Sequence, residues 1–218
     1  MIYLTGNKGK AWRHLLDDGT LGLLNTPANS YIVEPGWTWA ADNGCFNERT
    51  YVGDDKWFFW LSQQDPRMCL FATAPDVVGD HAATLERSKP WLKQIRALGF
   101  PAAFVLQDGA TATNVPWDLF DVAFIGGSNA FKLGGADDLI REAHQRGKRV
   151  HVGRVNSGKR YERFAAMAVE SCDGTFLGFG PDTNLPQLES WIRKHRLQPY
   201  LWPSIDPAHM QELAEEVP

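Results

Sequence analysis

Residues 101–135 read PAAFVLQDGATATNVPWDLFDVAFIGGSNAFKLGG. Two short apolar runs stand out in this stretch, Ala102–Leu106 and Val122–Ile125. Each stops abruptly, the first in Gln107-Asp108-Gly109 and the second in Gly126-Gly127-Ser128-Asn129. A continuous run of four or five branched and aromatic residues reads as a strand buried on both faces, as in a parallel sheet. In parallel α/β folds, ligands sit just beyond the carboxyl ends of such strands. Gln107 would present an amide there, and Gly126-Gly127 would let backbone N–H groups approach a ligand closely. The blander reading is an ordinary strand-to-loop turn, since Gly and Asp favour turns in any case.

Other strand ends repeat the pattern. Ile2–Thr5, Leu21–Leu24, Trp37–Ala41, Met68–Ala72, Arg149–Val152 and Asp173–Leu177 are further candidate strands. Several of them lead into Asp42-Asn43-Gly44, Pro75-Asp76 and Gly153-Arg154. Between them lie helical stripes. Lys8–Leu16 is compatible with a helix, and Trp57, Trp60 and Leu61 face one side of Asp55–Gln64. Leu85, Leu92 and Ile95 mark another helix, which Pro90 should kink or divide and Gly99 should close. Asp137–Gln145 and the Tyr161–Ala168 stripe follow. Asn184, with Pro186 in the first turn, is expected to open a last helix to about Arg196. A Pro-broken tail ends in a short helix around Pro207–Glu216. Eight strands alternating with helices point to a single (β/α)8 TIM-type barrel over residues 1–218, near the short end for that fold. A doubly wound open sheet is the rival.

Composition narrows the class. The 218 residues are 44% hydrophobic with nine Trp, enough for a sizeable core, and the formal net charge is −4. Basic residues nevertheless cluster, with Arg141, Arg146, Lys148, Arg149, Arg154, Lys159, Arg160 and Arg163 in one region. Such a run is either a solvated helix face or a phosphate-binding surface. Cys45, Cys69 and Cys172 are too dispersed for a disulfide framework or a structural zinc site, so no metal and no cofactor are expected. No stretch approaches the ~20 apolar residues of a membrane span, and a soluble cytoplasmic protein is the expectation.

On a barrel, Asp42, Asp76, Gln107, Gly126-Gly127, Gly153-Arg154 and Asp173 would converge on one mouth. Two carboxylates flanking a sugar can perform glycosidic chemistry, one attacking the anomeric carbon and the other moving protons. The remaining groups suit a purine-like base. A carboxylate accepts from ring and exocyclic N–H, while an amide and backbone N–H serve a carbonyl oxygen.

The succession Ala41-Asp42-Asn43-Gly44-Cys45-Phe46, Asp76, Val105-Leu106-Gln107-Asp108-Gly109, Ile125-Gly126-Gly127, Val152-Gly153 and Cys172-Asp173-Gly174 resembles the tRNA-guanine transglycosylase superfamily. The likeness is to its compact, often phage-encoded members, related to the deazaguanine DNA-modification transglycosylases, and runs from about Trp39 to Gly180. It implies that Asp173 attacks C1′ and expels guanine, leaving a covalent intermediate that a 7-deazaguanine base resolves. It further implies Asp42 as general acid/base, with Asp76, Gln107 and the Gly126-Gly127 backbone reading the base. Arg154, Lys159 and Arg160 would then hold phosphates of a nucleic acid, in the host cytoplasm if the gene is phage-borne. Departures are visible: the family usually has Asp-Ser-Gly-Gly-Phe at 42–46 and Gln-Gly-Gly at 107–109. The zinc module of the larger tRNA enzymes has no counterpart, since no cysteine follows Cys172. That difference favours DNA over tRNA as the polymer. A hydrolytic nucleoside or base glycosylase, and an inactive barrel that only binds nucleic acid, are the alternatives.

Overall fold

The computed structural model describes residues 1–197. Eight parallel strands close into one barrel in sequence order. They are β1 (Ile2–Thr5), β2 (Leu21–Asn25), β3 (Trp39–Ala41), β4 (Cys69–Thr73), β5 (Ala102–Leu106), β6 (Val122–Ile125), β7 (Arg149–Val152) and β8 (Ser171–Gly174). The outer layer is formed by α1 (Arg13–Asp17), α2 (Asp54–Ser62), α3 (His81–Ala97), α4 (Asn129–Gly134), α5 (Ala136–Gln145), α6 (Gly158–Ala166) and α7 (Pro181–Leu197). Closure is by β1 on β8, in the register Tyr3↔Cys172 and Leu4↔Asp173. The (β/α)8 expectation therefore holds over the described residues, and the open sheet does not. The expected helix around Pro207–Glu216, and the end of the 1–218 domain, lie outside them. No described helix is long and apolar enough to cross a membrane.

Period-two alternation divides the core into two layers. Leu4, Ala40, Phe71, Ala103, Val105, Val122 and Phe124 fill the barrel interior. Trp39, Trp57, Phe104, Ile140, Tyr161 and Phe164 belong to the larger layer between sheet and helices. Trp57 and Leu61 are core residues, as their helical spacing implied.

The structure corrects several elements, with β3 starting at Trp39 rather than Trp37 and β4 running Cys69–Thr73 rather than Met68–Ala72. Helix α3 runs unbroken through Pro90 rather than dividing there. Both Pro90 and Glu86, whose carbonyl loses its helical partner, are solvent-exposed, so water can satisfy that group. Strand β8 begins at Ser171, two residues before the expected Asp173, and Phe176–Phe179 is a 3-10 turn instead of strand. This shift matters, because it makes Asp173 the third residue of the strand and carries it towards the carboxyl end. Helix α7 starts at Pro181, so Pro186 lies inside it rather than in its first turn. Between β6 and β7 an additional short helix, α4, is capped by Ser128 Oγ accepting from the Phe131 amide at 3.1 Å.

The barrel interior is narrow enough that single side chains bridge it. Phe71 is 1% exposed and meets Phe124 at 6.0 Å and the His151 ring at 4.7 Å between centroids. Phe71→Ala should cost about 3–5 kcal/mol of unfolding free energy, read from urea denaturation followed by tryptophan fluorescence.

Candidate active site at the barrel mouth

The carboxyl ends of β3 to β7 surround a small open cleft of about 80 Å³. Asp42, Asp76, Gln107, Gly126, Gly127 and Arg154 line it, together with Asn43, Phe46, Thr73 and Gly153. Five of the sequence-derived base and acid/base candidates thus share one cavity. Asp173 is not itself part of the cleft lining. It stands beside it on β8, its carboxylate next to Gly153 and to the Arg154 amide, which donates to Oδ2 at 3.4 Å. A larger groove is lined by Trp37, Trp39 and Met68. It lies on the segments that feed the amino ends of β3 and β4, away from these converging polar groups.

Asp76 is the most tightly held member. Its Oδ1 accepts from Asn43 Nδ2 at 2.7 Å and its Oδ2 from Gln107 Nε2 at 2.6 Å. Gln107 Oε1 accepts the Gly79 amide at 2.9 Å, which fixes the amide orientation so that Nε2 faces Asp76. Behind them Arg87 of α3 donates to the Asp76 carbonyl at 2.7 Å and pairs with Asp54 at 2.6 Å. Burial pushes the Asp76 carboxyl up, opposed by the Asn43 and Gln107 hydrogen bonds and by the Arg87 charge.

Asp42 has less support. Its carboxylate is met by backbone N–H groups alone, the Gly44 amide donating to Oδ2 at 3.1 Å and the Asn43 amide standing close by. Burial, then the nearby charges of Asp173 and Asp76, push its carboxyl up to about 7. A carboxyl poised there can give or take a proton near neutrality. The mutual repulsion also shows that Asp42 and Asp173 sit within electrostatic reach of one another.

The glycine pair is required by geometry. Gly127 has φ +69°, and a Cβ there would lie 2.6 Å from Asp108 Oδ2. Asp108 in turn accepts from the Ser128 amide at 2.7 Å, tying the ends of β5 and β6 together. A Cβ on Gly126 would meet Val105 at 2.5 Å and Gln107 Nε2 at 3.2 Å.

The basic run divides. Arg141, Arg146 and Arg163 pair with Asp138, Glu142 and Asp137 on α5, which makes that part a solvated helix face. Arg154 instead reaches across the cleft, donating to the Gly127 carbonyl and lying 4.6 Å above the Phe46 ring. Its backbone is left-handed, with φ +61°, a conformation that costs a non-glycine residue of order 1 kcal/mol. Arg160 lines a crevice beside Arg154 with Lys132, whereas Lys159 is exposed on the first turn of α6 and outside the cleft lining.

Two residues escaped the sequence reading. Lys132, on the unexpected helix α4, is 3% exposed and donates to the Gly153 carbonyl at 2.9 Å. Burial and the adjoining Arg154 guanidinium push its ammonium down to about 8. His151 lies inside the barrel with Nε2 3.0 Å from Asp173 Oδ1 and Nδ1 2.9 Å from Ser171 Oγ. Its place within an apolar strand run gave no sign of a polar contact, beyond the inward alternation it shares with Gly153. Among the described residues, no three His, Cys, Asp or Glu side chains are gathered to hold a metal ion.

No protein-family model matches this sequence, and no curated protein matches it. Two crystal structures of tryptophan synthase from M. tuberculosis are similar to it in fold, one a ligand-free form with a substituted TrpA and one with aminoacrylate bound. Each shares 17% identity over 73% of this chain, with a TM-score of 0.47. The match spans 61% and 60% of those chains. A likeness this distant carries no information about substrate or activity.

The raised Asp42 pKa has a definite sign for stability. The folded state binds that proton more tightly than the unfolded chain does, so the associated stability is whole below about pH 4 and is lost as pH rises to about 7. Asp42→Asn should match wild type at the acid end. Above pH 7 it should exceed wild type by on the order of 2–4 kcal/mol. Urea denaturation across pH measures this, and a constant difference at all pH values would contradict it.

Proposed function

We propose that this chain is a pentosyltransferase that exchanges guanine in nucleic acid for a 7-deazaguanine base through a covalent aspartyl–sugar intermediate. DNA is favoured over tRNA as the polymer. The observation that carries the reading is the division of labour between two neighbouring carboxylates. Asp42 has a carboxyl near neutrality, as an acid/base group needs, while Asp173 is separately anchored beside the same cleft.

Direct displacement of one base by another would crowd both onto one face of the sugar. Attack by Asp173 separates the reaction into two displacements with net retention. In the first, a C1′–O bond forms to Asp173 as the C1′–N bond to guanine breaks. The electron pair leaves with guanine, which takes a proton from Asp42. In the second, the incoming base forms its C1′–N bond and gives a proton back to Asp42. The C1′–O pair then returns to the Asp173 carboxylate. Asp76 and Gln107, braced by Asn43 and Gly79, are the rigid groups suited to reading a guanine edge.

Arg154 and Arg160 stand beside the cleft where flanking phosphates would pass, with Lys159 on the adjoining helix turn. Arg154 would exchange its Gly127 carbonyl for a phosphate as the polymer binds. A target in a duplex must first be flipped out of the stack, at a few kcal/mol, which single-stranded substrates avoid. DNA is placed ahead of tRNA on the family resemblance, which is to the compact members related to the DNA-modifying transglycosylases.

The test uses labelled guanine-containing DNA and RNA oligonucleotides, with and without a 7-deazaguanine base, followed on denaturing gels and by nucleoside mass spectrometry. Wild type should form an adduct and exchange the base. Asp173→Asn should lose both while still binding the oligonucleotide, and Asp42→Asn should slow exchange by about 10²–10⁴-fold. Guanine release without incorporation would indicate the hydrolytic alternative. Exchange that survives Asp173→Asn would remove the nucleophile assignment.

A further inference from the structure

We infer that His151 is a positioning residue for Asp173, its Nε2–H held on the carboxylate while Ser171 satisfies Nδ1. The inference rests on the proposed role of Asp173 as nucleophile. His151 itself is 0% exposed and so cannot touch substrate.

The argument begins with what surrounds the ring. Phe71 of β4 and Phe124 of β6 pack against it at 4.7 and 4.4 Å between centroids. The polar groups on it come from β8: Ser171 Oγ at 2.9 Å from Nδ1 and Asp173 Oδ1 at 3.0 Å from Nε2. Of these neighbours only Asp173 carries charge. A neutral imidazole has one N–H donor and one bare acceptor nitrogen. An ionised carboxylate can only accept, so Nε2 must carry the hydrogen that faces Asp173. In the neutral ring Nδ1 is then the acceptor and Ser171 donates to it, whereas in the imidazolium Nδ1–H donates to Ser171 Oγ; in both forms Nε2–H faces Asp173. The reverse tautomer would set a bare nitrogen against a carboxylate oxygen in an apolar barrel, where an unmade hydrogen bond costs most.

The register makes this arrangement a property of the barrel. His151 pairs with Ser171 across β7 and β8, and Ser171 and Asp173 lie two apart on one face of β8. One inward-facing imidazole therefore meets both.

The consequence is a choice between the carboxylate oxygens. Oδ1 is held by Nε2–H inside the barrel. Among the described residues Oδ2 accepts only the long 3.4 Å contact from the Arg154 amide, so it is the less committed oxygen and the one assigned to attack. When the C1′–Oδ2 bond forms, Oδ1 becomes the ester carbonyl oxygen and keeps its hydrogen bond. When that bond breaks, the electron pair returns to a carboxylate whose charge the same N–H stabilises. Ser171 and His151 take no proton in either step; they hold the nucleophile at one angle.

Two measurements on the full chain test this. Long-range ¹H–¹⁵N NMR reads the His151 tautomer without any substrate. Wild type should show a protonated Nε2, and Ser171→Ala should keep it because Asp173 still accepts that hydrogen. A wild-type Nδ1–H tautomer would overturn the inference. The second measurement is the single-turnover rate of adduct formation with a labelled oligonucleotide. His151→Leu, which keeps bulk but has no donor, should slow it at least tenfold with oligonucleotide affinity unchanged. His151→Gln, whose amide can still donate, should recover most of that loss. Equal rates for folded Leu and Gln variants would leave His151 a packing residue and refute the positioning role. The expected tautomer in a wild type that never forms an adduct would refute base exchange and leave the Ser171–His151–Asp173 pairing standing.

Discussion

Everything at the mouth depends on the closing pair, β1 on β8, and on the strict alternation of parallel strands around it. A closed sheet has no free edge, so inward-facing positions cannot drift outward without breaking the register of every neighbour. Leu4 sits opposite Asp173 and His151 opposite Ser171. From those pairings, the next inward residues of the strands and the loops that follow them, Asp42, Gln107, Gly126 and Gly153, have only one place to converge.

That convergence concentrates charge that burial alone would not tolerate. Asp76 is accommodated because Asn43 and Gln107 each give one oxygen a donor, and both are themselves oriented by backbone groups. Asp173 is accommodated by His151 beneath it. Asp42 is buried, has two carboxylate neighbours and is met by backbone donors alone, so it holds its proton into the neutral range. The three carboxylates thus differ by environment rather than by chemistry, which is how one residue type can serve several roles in one site.

The glycines and Arg154 show the same economy from the backbone side. Gly127 takes a left-handed turn into space bounded by Asp108, and Arg154 accepts a left-handed backbone while its guanidinium spans the cleft from Phe46 to Gly127. Strain of this sort persists where surrounding packing over-determines it. Packing therefore fixes the shape of the cleft, and one long side chain, Arg154, lies across it.

Local pattern was sufficient for the strands β5, β6 and β7, whose apolar runs and polar stops match the structure residue for residue. It was sufficient as well for Asp42, Asp76, Gln107, Gly126 and Gly127, because turn residues at strand ends keep their position in any parallel barrel. It failed where the signal depends on partners distant in sequence. Pro90 looked like a break because its tolerance depends on which helix face meets water. The start of β8 was misread because Ser171 and Cys172 become strand by pairing with His151, Val152, Ile2 and Tyr3, not by their own propensity. His151 lies within the candidate strand Arg149–Val152, and the segment holding Lys132 carried no element assignment. Sequence by itself determined the alternation of strands and helices, the composition of the core and the set of polar residues at strand ends, since these follow from periodicity and turn chemistry. Only the tertiary structure decided which of them share a cleft, that Arg154 folds over it, and that an imidazole beneath Asp173 holds one oxygen while the other has only a long amide contact. Those outcomes depend on register and distance between strands far apart in the chain, and no local pattern encodes a distance.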